Sequence, residues 1–136
     1  MPDPKENSAL GGRICVTSEG NSLDSRVDPR FGRCRYFMIV DTGSLEFEAI
    51  QNPNRESMGG AGIQSGQLVA VKKVKAVVTG NVGPNAYQTL VAAGIDIYTG
   101  AEGSIKGAIE AYKSGKLQKI ESASVGSKFG LAKGGR

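Results

Sequence analysis

Residues 28–35, with the sequence DPRFGRCR, bring three arginines and one thiol together and are the part of this chain best suited to chemistry. Arginine side chains keep their positive charge and donate hydrogen bonds from a planar, fork-shaped group, so they suit anions. Positive charge near a cysteine also lowers the thiol pKa toward the thiolate, which binds soft metals. The segment predicts an anion site, with Cys34 as a candidate ligand of a soft metal.

The composition indicates one small domain. The chain has 136 residues, a net charge of +4, two cysteines and no histidine. We expect a flexible N-terminal segment over residues 1–12, an ordered domain over 13–121 and a disordered basic tail over 122–136, since the ends carry little apolar surface to bury. The sequence lacks a disulfide framework, a secretory signal and a membrane-length apolar run, so we expect a cytoplasmic protein.

Apolar patterning predicts an α/β domain. Strands are predicted over residues 13–17, 36–41 and 45–51, with a hairpin turn at 42–44. Helices are predicted over 62–74, 84–94 and 104–114, separated by strands over 76–79 and 95–98, which gives the order β-β-β-α-β-α-β-α. On the first helix, we expect Ile63, Ala70, Val71 and Val74 to form the buried stripe.

Rules of strand connection bring the unusual loops to one edge of this sheet. If the first three strands form an antiparallel meander, right-handed crossovers lay strands four and five parallel to strand one. Residues 18–35 and three glycine-rich loops that open helices, at 58–62, 80–83 and 100–103, then share that edge. Helix N-termini offer N–H donors and partial positive charge, and open α/β sheets bind ligands at the carboxyl ends of their strands.

The sequence therefore predicts an anion pocket at this edge, with Cys34 as its candidate metal ligand. The expected lining consists of Arg30, Arg33, Cys34, Arg35, Gly59, Gly60, Gly62, Gly80, Asn81 and Gly83.

Simpler roles stay open for the charged and glycine residues of this pocket. Each glycine cluster, taken alone, is also typical of a tight turn. Arg30 and Arg33 are also suited to ordinary surface ion pairs, with Asp28, Asp24 or Glu19 as partners.

The sulfur-containing residues also have alternatives. Cys34 is either a ligand or reactive thiol at the rim of the sheet or a packed core residue, whereas the apolar neighbours of Cys15 favour core packing. Met58 is either a soft ligand or an ordinary loop side chain. Phe31 is expected to fill the core beneath the loop.

Four segments resemble, in their order and spacing, the dinitrogenase iron-molybdenum cofactor biosynthesis family. They are residues 31–37 (FGRCRYF), 59–62 (GGAG), 80–86 (GNVGPNA) and 103–117, and the resemblance spans about residues 13–120. It implies a ribonuclease H-like α/β fold with a mixed five-stranded sheet and helices on both faces. It also implies a role in carrying or assembling iron-molybdenum or related metal-sulfur clusters, with a donor or acceptor protein as partner.

Some small stand-alone members of the family are similar in size to this chain and hold a molybdenum-copper sulfide cluster without covalent attachment. The family often has one histidine before the Phe-Gly-Arg segment and another in the glycine loop before the first helix. Arg30 and residues 58–61 fill those places here. This chain therefore has no imidazole ligand to offer, whereas arginine charge, backbone amides and one soft sulfur ligand remain possible.

Hydrolytic chemistry is disfavoured. Two-metal nucleases need clustered carboxylates, yet the first strand offers only Thr17 and Ser18 near its carboxyl end. Phosphate-loop and dinucleotide motifs are absent, and a triad lacks its histidine. We expect non-catalytic binding of an anionic cluster. The alternative is a metal-free regulatory or RNA-binding module on the same fold, although few aromatic residues are present for base stacking.

Overall fold

The computed structural model describes residues 12–54 and 60–121. The predicted basic tail, nearly all of the predicted N-terminal segment, and the loop residues Met58 and Gly59 lie outside these ranges. None of the helices in the described ranges has the length and apolar character needed to cross a membrane.

The described residues form six strands and three helices. They are β1 (Arg13–Ser18), β2 (Tyr36–Asp41), β3 (Phe47–Gln51), α1 (Ala61–Val71), β4 (Ala76–Val78), α2 (Pro84–Ala92), β5 (Asp96–Thr99), α3 (Ile105–Lys113) and β6 (Gln118–Lys119). The prediction of five strands is wrong, because β6 adds a sixth that pairs antiparallel with β5. This strand has two exposed polar residues and so no apolar pattern to predict it. The ribonuclease H-like label stays a prediction.

The sheet is mixed, with the order β3-β2-β1-β4-β5-β6. The first three strands form an antiparallel meander, and β4 and β5 lie parallel to β1, as the connection rules predict. The ends of β1, β3, β4 and β5 therefore lie at one side of the sheet, which we call the carboxyl edge.

Helices cover both faces of the sheet, as predicted. On one face, Cys15, Phe37 and Val77 of the strands pack with α1 and α2. On the other face, Ile14 and Val16 pack with α3. Alternate residues of β1 thus enter different cores, which follows from the two-residue period of a strand.

The predicted buried stripe of α1 is right for two of its four residues. Val74 is buried just beyond the end of α1, and Ala70 is partly buried against the same core. The residues that α1 buries are Ala61, Ser65, Gly66 and Val69. Ile63 and Val71 are 39% and 75% exposed. Most of the buried residues of α1 are small because α1 packs closely against α2. A Cβ added to Gly66 would lie 2.7 Å from Thr89 Cγ2. The spacing of large apolar residues does not predict a buried helix face made of small residues.

Candidate functional site

A cleft of about 260 Å³ lies at the carboxyl edge, where the first turns of α1 and α2 meet residues 28–35, which we call the arginine loop. We call it the amide cleft. Its lining comprises Phe31, Gly32, Arg33, Gly60, Ala61, Gly62, Gly83, Pro84, Asn85 and Ala86. Four of the predicted site residues, Arg33, Gly60, Gly62 and Gly83, thus come together here. Phe31 is buried beneath the loop and packs on Phe37 at a ring-centroid distance of 5.6 Å, as expected.

Glycines allow the two helix starts and the loop to approach one another. A Cβ on Gly62 would lie 3.2 Å from Ala86 Cβ and 3.3 Å from Ala86 N, tighter than most real contacts. Gly32 has φ of +97°, and a Cβ there would lie 3.4 Å from Gly62 Cα. That distance is an ordinary contact, so the backbone angle is what favours glycine at position 32.

Both helices start at the amide cleft with glycine caps. Gly60 and Gly83 are the N-cap residues, and neither helix has a side-chain capping hydrogen bond. Each helix start contributes a partial charge of about +0.5 and first-turn N–H groups. The Arg33 guanidinium adds positive charge at the same cleft. This arrangement suits a compact anion.

The third glycine-rich helix start differs from the other two. Ser104 caps α3 by accepting a hydrogen bond from the Gly107 N–H at 3.0 Å. The N–H groups of Ile105 and Lys106 donate to the carbonyls of Ser25 and Leu23 at 2.8 and 2.9 Å. The loop after β1 therefore uses the donors of this helix start, which leaves two of the three predicted helix starts suited to a ligand.

Arg30 and Arg35 line a separate cleft of about 360 Å³ together with Glu19 and Asp28. The Nε atom of Arg30 lies 3.2 Å from Oδ1 of Asp28, whose carboxylate is almost fully buried while the Arg30 side chain is 60% exposed. This hydrogen bond and the carboxylate charge raise the pKa of Arg30. The ion-pair alternative thus describes Arg30, and its charge is largely neutralised by Asp28.

Gly80 and Asn81 border a third cleft, of about 490 Å³, that also contains Glu19, Arg26 and Glu102. Gly80 packs so tightly that an added Cβ would lie 2.7 Å from Pro29 Cα. The Asn81 N–H donates to the Pro29 carbonyl at 2.8 Å, and the Asn81 carbonyl accepts from the Phe31 N–H at 3.3 Å. These two residues hold the arginine loop against the loop that opens α2.

Cys34 is fully buried in the core beneath the arginine loop. Burial, and then the nearby Asp28 carboxylate, raise the pKa of its thiol to about 12. The predicted lowering of this pKa by the arginines is wrong, because desolvation dominates and Asp28 pairs with Arg30. Cys15 is also fully buried with a raised pKa, so the expectation of core packing is confirmed.

Asn52 is a positioning residue that sequence reasoning missed. Its buried side-chain amide donates to the carbonyls of Gly32 and Cys34 at 3.0 and 2.9 Å. Its backbone N–H donates to the Arg35 carbonyl at 2.9 Å. These bonds fix the loop that carries Arg33. The Asn-Pro pair directly after a strand was the available signal, since it is typical of an ordered turn.

Within residues 12–54 and 60–121, no group of three or more His, Cys, Asp and Glu side chains is placed to hold a metal ion. The amide cleft offers backbone N–H groups and a guanidinium, which recognise the outer atoms of an anion. Such donors suit an anionic ligand.

Comparison with known proteins gives consistent matches. The model of the dinitrogenase iron-molybdenum cofactor family matches residues 12–115. An uncharacterized protein of Methanocaldococcus jannaschii is 40% identical over 101 residues, which is 72% of this chain and 86% of that protein.

Two solved structures are also similar. The apo form of the orange protein from Desulfovibrio gigas has a TM-score of 0.79 and 36% identity, covering 82% of this chain and 95% of that one. A protein from Thermotoga, solved by NMR as a candidate NifB protein, has a TM-score of 0.72 and 35% identity over the same shares.

Proposed function

Because this chain belongs to the dinitrogenase iron-molybdenum cofactor family, we propose that it binds and carries an anionic metal-sulfur cluster, of the iron-molybdenum or molybdenum-copper type, in the amide cleft. The chain acts as a carrier without catalysis, and its partner is a protein that donates or accepts the cluster. The observation that carries this proposal is the meeting of two glycine-capped helix starts with Arg33 in one cleft.

The charge and size of the amide cleft support a small cluster. Two helix starts and the Arg33 guanidinium favour a small anion such as a thiomolybdate. The volume of about 260 Å³ equals roughly nine waters at about 30 Å³ each and lies just below the usual range for organic ligands. A compact inorganic anion fits this space better than a nucleotide.

The cluster is held without a bond from protein to metal in this proposal. Cys34 is dropped as a ligand because its side chain is fully buried in the core beneath the arginine loop. Arg35 contributes at longer range from the neighbouring cleft, whereas Arg30, paired with Asp28, contributes little charge. Gly80 and Asn81 support the arginine loop. Gly59 adjoins the cap of α1 in sequence and keeps its predicted role in binding.

The first test is anaerobic incubation of the protein with tetrathiomolybdate, alone and with copper(I) or iron(II). Unbound metal is then removed, and metal content and the visible spectrum are recorded. We expect a stoichiometric coloured complex. Arg33→Ala should weaken it, whereas Arg35→Ala removes the same charge outside the amide cleft and should have a smaller effect.

Gly83 offers a sharper pair of variants. Its backbone is extended, with φ of −85°, and an added Cβ would meet nothing within 4 Å. Asp and Asn are both favoured N-cap residues, so both replacements should fold. Gly83→Asp places a carboxylate at the anion site and should lower tetrathiomolybdate affinity at least about tenfold. Gly83→Asn has nearly the same shape without the charge and serves as control.

Two results would oppose the proposal. Equal affinity of the Gly83→Asp variant, the Gly83→Asn variant and the unaltered chain would mean that the anion does not bind at the start of α2. A colourless, metal-free protein under every combination of metals would favour the metal-free interaction module on the same fold.

A further inference from the structure

The strand β3 is an open edge of the sheet. In the part of the chain that the structure describes, β3 pairs with β2 on one side and has no strand on the other. An edge strand presents a row of backbone N–H and C=O groups with which another chain can pair. The opposite edge strand, β6, has only two residues, whereas β3 has five. β3 is therefore the edge that is long enough to accept another strand.

Hydrogen bonds at both ends of β3 fix which of its backbone groups point outward. The Glu46 carbonyl accepts a bond from β2 at 2.8 Å, and the Asn52 N–H donates to the loop before β2 at 2.9 Å. The register between the two strands is continuous, without a bulge. Residues of an antiparallel strand bond alternately to one side and the other, so the even-numbered residues bond to β2. The N–H and C=O groups of Phe47, Ala49 and Gln51 therefore point to the open side.

β3 lacks the features that usually protect an edge strand. It contains no proline, no lysine and no bulge. Its one charged residue, Glu48, already pairs with Lys72 at the end of α1, with a distance of 3.2 Å between Oε2 and Nζ. Phe47 is a large apolar side chain that is 42% exposed. A strand placed beside β3 would shield part of this ring from water.

We propose that β3 pairs antiparallel with β3 of a second copy of this chain, so that two sheets join into one. The strand is self-complementary when the two-fold axis passes beside Ala49. Phe47 then lies opposite the partner's Gln51, and all three outward residues of each copy take part in the ladder. Glu48 lies opposite the partner's Ile50 and so meets no second carboxylate.

Other registers of this pairing are less favourable. A two-residue shift in one direction sets Glu48 opposite the partner's Glu48, and like charges directly opposite destabilise a sheet. A two-residue shift in the other direction pairs only Ala49 and Gln51 of each copy and loses the bonds of Phe47. The charges and the outward backbone groups thus favour the same register. The dimer does not depend on the proposed function, since none of the residues lining the amide cleft lies on β3.

Amide hydrogen exchange at two protein concentrations is the first test. A contact of five residues a side buries less than the ~1,200 Å² of a standard interface, so we expect a dissociation constant of about 0.1 mM. The amides of Phe47, Ala49 and Gln51 should then exchange about threefold more slowly at about 1 mM than at about 0.05 mM protein. The amides of Glu48 and Ile50 bond to β2 in both states and serve as internal controls.

Ala49→Pro tests the hydrogen bonds of the proposed ladder. The substitution removes an N–H that points outward and leaves the bonds to β2 in place, so the variant should fold, as prolines on edge strands do. We expect it to stay monomeric in sedimentation velocity at about 1 mM, where the unaltered chain is mostly dimeric.

Two double variants test the register. Phe47→Lys with Gln51→Lys sets like charges opposite each other twice across the two-fold axis. Phe47→Lys with Gln51→Glu sets opposite charges in the same places and is the matched control. The second double variant should dimerise about tenfold more tightly than the first.

Three results would overturn the dimer. A monomer throughout this concentration range would leave the edge to a different protein. Slow exchange of the outward amides in a monomer, at both concentrations, would mean that another part of the same chain covers β3. Equal dimerisation of the two double variants would place the contact elsewhere on the surface.

Discussion

The substitution Gly66→Ala tests whether close packing of α1 on α2 shapes the amide cleft. A Cβ on Gly66 would lie 2.7 Å from Thr89 Cγ2 and 3.0 Å from Thr89 Cβ. Contacts this short do not persist, so Gly66→Ala must push the helices apart or displace Thr89. Gly62 lines the cleft one turn earlier on the same helix. We therefore expect the substitution to lower both stability and tetrathiomolybdate affinity.

Two opposing effects determine how much Gly66→Ala changes the free energy of unfolding. Alanine is favoured over glycine in a helix interior by about 1 kcal/mol. Overpacking of a filled interface costs about 1–3 kcal/mol. The net loss in the free energy of unfolding is thus about 1 kcal/mol. Thr89→Ser removes the clashing Cγ2 and keeps the hydroxyl that donates to the Asn85 carbonyl at 3.0 Å. Gly66→Ala should therefore cost less in that background, where only the 3.0 Å contact with the Cβ of residue 89 remains.

The assay is urea unfolding of the four chains of this double-mutant cycle, at pH 7. We expect a coupling energy of about 1 kcal/mol, well above the ~0.3–0.5 kcal/mol scatter of independent sites. Gly107→Ala in α3 is the control, because that exposed glycine has only the Ser104 hydroxyl within 4 Å of its added Cβ, at 3.2 Å. If Gly66→Ala stabilised the protein as much as Gly107→Ala, the close-packing argument would be refuted.

Three further predictions concern buried polar groups. Ser65→Ala should raise the free energy of unfolding by about 1 kcal/mol in thermal or urea unfolding, since the buried Ser65 hydroxyl has no hydrogen-bond partner; a loss would mean that water or a ligand satisfies it. Asn52→Ala should cost about 2 kcal/mol by leaving two loop carbonyls unpaired, and tetrathiomolybdate binding should weaken with it; unchanged binding would separate the loop from the site. The Cys34 thiol, whose pKa rises from 9.0 to about 12 on burial, contributes stability below pH 9 that is lost toward pH 12, because the unfolded chain releases this proton first. The unaltered protein should therefore lose up to about 1.4 kcal/mol more per pH unit than Cys34→Ala over that window in urea titrations, and parallel pH profiles would contradict the burial of this thiol.

The sheet was largely predictable because its strands depend on local pattern and general connection rules. β4 is a short, fully buried apolar run, and its parallel pairing with β1 follows from the handedness of crossovers. β6 was not predictable, since two exposed polar residues pair only because the turn after α3 places them beside β5. Its existence depends on tertiary position and not on propensity.

The chemistry of the arginine loop was harder to predict because the sign of an electrostatic effect depends on burial. Three nearby arginines suggested a thiolate at Cys34. In the fold, the thiol lies below the loop in the core, and Asp28 faces Arg30. Desolvation of a fully buried thiol outweighs attraction to a charge that is already paired. Sequence proximity gives the distance between such groups but not the dielectric environment.

The residue at the cap position distinguishes the three glycine-rich helix starts. Ser104 precedes α3 and caps it, and the loop after β1 takes its next two N–H groups. Gly60 and Gly83 precede α1 and α2, and a glycine cap has no side chain to accept those hydrogen bonds. A hydroxyl at the cap position therefore indicates a helix start that the protein satisfies internally. A glycine at that position, beside a second such start and an arginine, is therefore the pattern that favours an anion site.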